Sequence, residues 1–173
     1  MEPITFTVFG QPQTAGSKRS FVLMNKKTGE PLRRPNGSIV VNTVDDNPEG
    51  RSWKESVARA ALAARLGEAD LLTGALAVTM RFYRPRPKGH YGKFGLNATG
   101  RATIAPTTRP DVLKLARCAE DALTGVVWHD DAQIVEEHLF KFWDEPVRVE
   151  VEIELLVMTA IEENREPMLL SLA

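Results

Sequence analysis

Cysteine is almost absent from the sequence, since Cys118 is the only one among 173 residues. With a single thiol, neither an internal disulfide nor a thiolate-rich zinc site can form. Long apolar runs are also missing, because none approaches the roughly 20 residues that a membrane-spanning helix needs. The first residues lack the positive-then-apolar pattern of a secretory signal. We therefore expect a soluble, cytoplasmic protein.

Acidic residues are missing from one long part of the chain. Residues 81–109 hold seven Lys/Arg and no Asp or Glu, and residues 11–34 hold six Lys/Arg with a single acid, Glu30. From Asp130 to the C-terminus, twelve acids stand against three basic residues. The net charge of −1 therefore hides two basic stretches and an acidic one. Such segregation can form a polyanion-binding surface, although basic loops can also serve solubility alone.

The length suits one domain, because domains commonly run to roughly 100–200 residues. We predict a single domain over residues 1–173, with basic loops at about residues 11–37 and 84–110. Two short strands, at residues 21–24 and 38–41, form either a long hairpin or a mobile flap. Alternating apolar residues predict the main strands. These lie at residues 4–9, 76–82, 132–143 and 147–157.

Two helices complete the predicted fold. The first begins near Pro48, with Asn47 or Asp46 as its N-cap, and ends before Gly67. The second follows Asp111 and separates into an apolar and a charged face when its residues are placed at ~100° intervals. The apolar face holds Val112, Leu115, Ala116, Ala119, Ala122 and Leu123. The prediction is an α+β fold, a small mixed β-sheet with two main helices packed on it.

The stretch from Arg109 to Gln133 has an acidic point at each end of the second helix. Asp111 stands directly after Pro110, and Asp130 with Asp131 follows the helix and a Thr-Gly turn. Two carboxylate points separated by one helix suit a divalent-metal site. Each also has a structural explanation, because an acid after proline is often an N-cap and an Asp-Asp pair is often a turn.

Metal-assisted phosphodiester hydrolysis is the chemistry that this arrangement fits. Mg²⁺ binds hard oxygen ligands, usually one or two carboxylates with water and phosphate oxygens, and it can polarise a phosphoryl group. A nearby cation would neutralise the charge that develops on the phosphate. Lys114 and Arg117 share the charged helix face with Asp111 and are the candidates. The spacing of Arg117 and Asp121 also allows an ordinary ion pair within the helix.

Residues 109–143, RPDVLKLARCAEDALTGVVWHDDAQIVEEHLFKFW, resemble the core of the RusA-type Holliday junction resolvases, which are endonucleases common in phages and prophages. The order and spacing of PDV, DALTG and DDAQIV carry the resemblance. It implies a small α+β homodimer that uses Mg²⁺, with Mn²⁺ as an alternative, to nick four-way DNA junctions symmetrically. Such nicking by paired phosphodiester hydrolysis belongs to DNA recombination and repair.

Four residues take catalytic roles from the resemblance. Asp111 matches the first acid of the family's Asp-x-Asp-Asn element, and Asp130 and Asp131 match its later acidic pair. These three aspartates are the implied metal ligands. Arg117 stands where the family often has a catalytic lysine, and it keeps the charge without serving readily as a proton shuttle.

The sequence departs from the family's pattern at the second acid of that element, where Leu113 stands, and at its Asn, where Lys114 stands. One metal-binding carboxylate is therefore missing from its usual place. Either the three aspartates suffice, or another acid such as Glu120 or Asp121 substitutes, or activity is reduced.

Branched DNA is the expected partner, contacted mainly through its backbone. Aromatic residues beside the basic ones either stack on exposed bases or anchor the loops; they are Phe82, Tyr83, Tyr91 and Phe94. The residues expected to bind DNA are Lys18, Arg19, Arg84, Arg86, Lys88, Lys93, Arg109 and Lys114. Two other functions stay open: a DNA-binding protein on the same scaffold that no longer cleaves, and a small α+β interaction module whose acids are only caps and turns.

Overall fold

The computed structural model describes residues 2–15, 18–45, 47, 49–65 and 70–157. It contains eight strands in these ranges, β1 (Ile4–Phe9), β2 (Lys18–Val22), β3 (Val41–Asp45), β4 (Leu76–Arg84), β5 (Tyr91–Gly92), β6 (Gly95–Leu96), β7 (Ile134–Trp143) and β8 (Arg148–Leu155). Three α-helices accompany them, α1 (Glu49–Ala64), α2 (Ala98–Ala102) and α3 (Val112–Leu123). Short 3₁₀ turns span Lys88–His90 and Asp131–Gln133.

The main sheet has four strands in the order β1-β8-β4-β7. β8 runs antiparallel to both β1 and β4, whereas β4 and β7 are parallel. A parallel pair needs a crossover connection, and here the chain between the two strands includes α3. The predicted α+β fold with a mixed sheet is therefore confirmed.

One face of this sheet packs against α1 and α3, as the sequence predicts. Alternate residues of β4, Val78, Met80 and Phe82, are fully buried there. α1 contacts β1 and α3, and α3 contacts β7, so that both helices share one layer. Each fully buried side chain of this kind contributes about 1.5–3 kcal/mol to folding. The core therefore fixes the positions of α3 and β7, which carry the acidic residues.

The short strands near the N-terminus pair as a hairpin, which is one of the two alternatives that the sequence allows. β2 and β3 pair antiparallel from Lys18–Asp45 to Val22–Val41. Beyond these strands, the chain between them is held by isolated β-bridges at Met24–Pro31 and Arg33–Ile39. The regular strands thus lie nearer the hairpin base than the predicted 21–24 and 38–41.

The boundaries of α1 agree only in part with the prediction. The helix begins at Glu49, and the Asn47 side chain accepts a hydrogen bond from the Glu49 amide at 3.2 Å, as an N-cap does. Asp46, Pro48 and Gly67 lie outside the described residues. No helix within the described ranges is long and apolar enough to cross a membrane.

The stretch at residues 84–110, here called the basic segment, is more ordered than the predicted loop. It contains a 3₁₀ turn, the β5–β6 hairpin and α2. Each of these elements is only two to five residues long, so none produces a periodic apolar pattern. Hydrogen bonds, not a core of its own, hold this segment together.

Candidate active site

Asp111 occupies the N-cap position of α3. Its backbone is extended, with φ −67° and ψ 139°, and its carbonyl accepts a hydrogen bond from the Leu115 amide at 3.2 Å. The side chain makes no capping hydrogen bond. Capping therefore does not occupy this carboxylate, which is exposed and available to a ligand.

Asp130 and Asp131 differ in what their side chains do. Asp130 caps the 3₁₀ turn that follows it, because its Oδ1 accepts from the Ala132 amide at 2.9 Å in a capping box with Gln133. The bond from Ala132, together with a bond to Asp131, lowers the pKa of the Asp130 carboxyl. The Asp130 side chain thus stabilises a turn, which is one of the structural roles considered for the Asp-Asp pair. Asp131 is exposed and lines a cleft.

Four acidic residues line that cleft, which has a volume of about 330 Å³. Glu136 pairs with His138 at 2.7 Å, and the other three are Glu120 of α3, Asp131 and Glu137 of β7. Burial, a hydrogen bond to Glu137 and repulsion from Glu137 raise the pKa of Glu120 to about 8. Asp131 adds to the repulsion. At neutral pH Glu120 therefore holds a proton, and Glu137 accepts it in a hydrogen bond.

Glu137 is the residue of this group that the sequence analysis missed. It pairs in register with Val78, whose side chain is fully buried, so Glu137 belongs to the helix-covered side of the sheet. Leu139, Lys141 and Trp143 continue the same side of β7. An acid at a core-facing strand position was the available signal, and the run of charges at Glu136–Glu137 concealed it.

The donor chemistry at the cleft fits Mg²⁺, which prefers carboxylate oxygens and usually takes one or two of them. Within the described residues, however, no group of three or more His, Cys, Asp or Glu side chains is placed to hold a metal ion. The described residues therefore hold at most part of a ligand set, and water and phosphate oxygens would supply the other ligands of a bound ion.

Asp111 lies at the opposite end of α3 from this cleft. Nine residues separate it from Glu120, which at ~1.5 Å per residue places them about 13 Å apart along the helix axis. Two ligands of one Mg²⁺ lie only ~4 Å apart, since each bond is ~2.0–2.1 Å. Asp131 lies directly before the start of β7, and it lines the cleft with Glu120.

Cations surround Asp111 at its end of the helix. Lys141 of β7 donates to the carbonyls of Thr108 and Pro110, both at 3.1 Å. Arg84 donates to the carbonyl of Arg109 at 2.8 Å. Burial and the neighbouring Arg84 lower the pKa of the Lys141 ammonium, while Asp111 opposes that shift. These bonds fix the backbone that leads into Asp111.

The charged face of α3 is exposed, as predicted, at Lys114 and Arg117. The ion pair that the spacing of Arg117 and Asp121 allows is not the one formed, because Asp121 pairs with Lys54 of α1 at 2.7 Å. Leu113 is 66% exposed and contacts no core.

The residues expected to bind DNA fall into two groups within the basic segment. Arg86 is half-buried and donates to the carbonyls of Gly100 and Thr103. Arg84 donates to the carbonyl of Arg109. Both side chains therefore stabilise the basic segment itself. Lys88, Lys93 and Arg109 are exposed. The side chains of Lys18 and Arg19 lie outside the described part of the structure.

The four aromatic residues expected beside these cations differ in their exposure to solvent. Phe82 is fully buried in the core and cannot stack on a base. Tyr83 is half-buried and donates to Glu150 at 2.8 Å. Tyr91 and Phe94 are exposed, at 53% and 92%.

Comparison with known proteins adds two findings. A sequence model of the family described as "Endodeoxyribonuclease RusA" matches residues 28–154, a range that includes both acidic points. The chain is also similar to "Uncharacterized protein YqaN" of Bacillus subtilis (strain 168). The two are 31% identical over 156 residues, which covers 88% of this chain and 96% of that protein.

Proposed function

The chain belongs to the RusA family of endodeoxyribonucleases, and we propose that it is a Mg²⁺-dependent enzyme that resolves four-way (Holliday) DNA junctions by paired phosphodiester hydrolysis. Members of that family bind branched DNA. The proposal makes this chain a nuclease of DNA recombination and repair.

The observation that carries the proposal is the carboxyl group cluster of Glu120, Asp131 and Glu137 inside the matched residues. Burial, a hydrogen bond to Glu137 and repulsion from Glu137 keep a proton on Glu120, and a divalent cation would replace that proton because it neutralises the neighbouring carboxylate charges. Glu120 is then the acid that substitutes for the one missing at Leu113. Asp130, as a cap, orients the turn from which Asp131 projects.

The described residues suggest a division of work in catalysis. Mg²⁺ or Mn²⁺ on these carboxylates would supply Lewis-acid polarisation of the scissile phosphate. The exposed guanidinium of Arg117 neutralises charge on the phosphate oxygens and stays protonated throughout. Lys88, Lys93 and Arg109 hold the DNA backbone, so that binding weakens steeply as salt rises.

A homodimer is part of the proposal, because ideal helix geometry puts Asp111 about 13 Å along α3 from Glu120, which lines the same cleft as Asp131. If two copies lie with their α3 helices antiparallel, Asp111 of one copy comes beside Asp131 of the other. Two-fold symmetry then creates two equal sites. Two sites suit a junction that must be cut on two opposed strands.

Mixing two inactive variants tests this arrangement. Asp111→Asn and Asp131→Asn are each expected to bind a synthetic four-way junction without nicking it in Mg²⁺. In an equal mixture after subunit exchange, half of the dimers are mixed, and each mixed dimer has one intact site. Nicking should therefore recover to about a quarter of the wild-type site count. No recovery would show that each site lies within one chain, and full activity of either variant alone would exclude that aspartate from catalysis.

A second candidate, a DNA-binding protein that no longer cleaves, has one observation in its favour. Leu113 exposes an apolar side chain at the place where the family has an acid. Salt-sensitive junction binding by the wild type without nicks in Mg²⁺ or Mn²⁺ would support it. Leu113→Asp should then create nicking, and because the position is exposed, the change should leave folding intact.

A further inference from the structure

The turn between β5 and β6 presents an aromatic ring to solvent. Lys93 and Phe94 are its two residues, since Gly92 pairs with Gly95 across the hairpin. Two-residue hairpin turns are usually built from Gly, Asn or Asp, whose backbones suit them. The Phe94 ring is 92% exposed, the largest exposed fraction among the large hydrophobic residues described. Its packing within the chain therefore does not explain its presence.

Hydrogen bonds hold this turn in a defined place. The backbone N–H of Asn97 donates to the carbonyl of His90 at 2.9 Å, and its side-chain Nδ2 donates to the carbonyl of Gly89 at 2.7 Å. The Asn97 side chain also accepts from the Gly100 amide at 2.8 Å. Contacts made before binding reduce the entropy that a partner must remove. The ring is thus presented on an ordered support.

The support is itself attached to the main sheet. Arg86 donates to Gly100 at 2.7 Å and to Thr103 at 2.9 Å, and its guanidinium lies 5.5 Å from the ring centre of Trp143 on β7. His90 meets the edge of the same Trp143 ring, with 5.8 Å between the ring centres. The position of Phe94 is therefore tied to the strand that carries Glu137.

Charge around the ring selects the kind of partner. The segment from residue 81 to residue 109 has seven Lys/Arg and no acid. The Lys93 ammonium lies 5.2 Å from the centre of the Phe94 ring. An aromatic ring beside cations on a basic surface is the combination that binds bases and phosphates together in single-stranded nucleic acid. An unpaired or unstacked base fits it better than an apolar protein surface.

We propose that Phe94 stacks on a base exposed at the branch point of the DNA, so that it favours branched over linear substrates. In a continuous duplex both faces of each base are covered by neighbours, and inserting a side chain costs unstacking. At a branch point a base already has an open face. The proposal rests on the proposed function, and it names the residue that recognises the branch.

Base fluorescence tests the proposal without cleavage. A four-way junction carries 2-aminopurine at the branch point, and a linear duplex carries it within a continuous stack; both are titrated in EDTA. The wild type should change the junction signal and leave the duplex signal nearly unchanged. Phe94→Ala should lose the change, and its preference for junction over duplex should fall about tenfold, the size of one base–aromatic stack. Phe94→Trp should keep both.

Ile104→Ala is the matched control, because Ile104 is 88% exposed on the same segment but has no aromatic ring. It should behave as wild type. The proposal is overturned if Phe94→Ala keeps the signal change and the preference, if Ile104→Ala loses them equally, or if Phe94→Ala changes the sedimentation of the free protein, which would make the ring a protein contact. Junction nicking by a Phe94→Ala protein with unchanged preference would leave the proposed function standing alone. Failure of the wild type to bind the junction would remove both.

Discussion

Glu120 of α3 and Glu137 of β7 share a hydrogen bond between two carboxyl groups, which exists only while one of them is protonated. Burial is the largest cause of the raised pKa of Glu120, and Glu137 is the next. The pair therefore stores a proton at neutral pH on an acid that would be ionised in water. The charge of Glu120 is therefore sensitive to pH near neutrality.

Replacing Glu120 with Gln should stabilise the protein at high pH. In the unfolded chain Glu loses its proton near 4.5, whereas in the folded chain its pKa is about 8. Between these values the folded state binds more protons, so wild-type stability falls as pH rises through that window and is constant on either side. At pH 8.5, Glu120→Gln should gain about 1–2 kcal/mol, a value reduced for the solvent that reaches a half-buried group.

Urea unfolding in EDTA at pH 4, 6.5 and 8.5 measures this difference. Glu55→Gln, on the exposed side of α1, is the control and should show little pH dependence relative to wild type. An equal gain for Glu120→Gln at all three pH values would mean that its pKa is not raised in the folded state.

Substitution of Asp130 should affect stability, whereas substitution of Asp131 should affect activity. Asp130→Ala removes the acceptor for the Ala132 amide and should lower the unfolding midpoint by about 2–4 °C, whereas Asp130→Asn keeps that acceptor and should not. Asp131→Asn should leave the midpoint unchanged and abolish junction nicking. Scanning calorimetry and a nicking assay on the same samples check both. Loss of nicking in Asp130→Asn at normal stability would assign Asp130 a direct role.

Gly100→Ala should disrupt the basic segment. A methyl group at Gly100 would overlap the carbonyl oxygen of His90, and backbone cannot move aside as a flexible side chain can. We expect a loss of about 1–3 kcal/mol in unfolding free energy and faster protease cleavage within residues 84–110. Gly89→Ala is the matched control, since its added methyl group meets nothing within 4 Å. Equal behaviour of the two variants would contradict the close contact.

Removing two exposed lysines should reduce the salt dependence of junction binding. Each phosphate contact adds ~0.9 to the slope of log K against log salt, so Lys88→Ala with Lys93→Ala should lower it by about 1.8. Arg51→Ala with Arg59→Ala removes the same charge from exposed positions on α1 and should leave the slope unchanged. Equal slopes for both double variants would indicate that overall charge, not the basic segment, governs binding.

The fold was largely predictable because its main elements are long and periodic. β4 and β8 show strict alternation, and α3 has one apolar face, so burial on the helix-covered side followed directly from sequence. The bounds of β2 and β3 could not be predicted, because apolar residues continue beyond the regular pairing into the rest of the hairpin. The elements of the basic segment were missed because hydrogen bonds of Arg86 and Asn97, not apolar burial, define them.

For the candidate site, the sequence predicted which residue types take part, but not how far apart they lie. Asp111 and Asp131 are exposed acids without a capping role in the structure, but their separation depends on α3 and β7 running in opposite directions, which no local pattern reveals. The different duties of Asp130 and Asp131 depend on one hydrogen bond. Glu137 required the register between β4 and β7, which is a tertiary property.

The parallel pair β4–β7 gives the molecule two unlike ends. Arg84, Arg109 and Lys141 lie near the place where these strands finish, and Asp131 lies where they start, about 26 Å away by the length of β4. These cations and Asp131 therefore lie at opposite ends of the two strands. A DNA strand held by the cations would lie about 26 Å from Asp131 of the same copy. In the proposed homodimer, a second copy turned the opposite way would bring its Asp131 to the strand that the first copy holds.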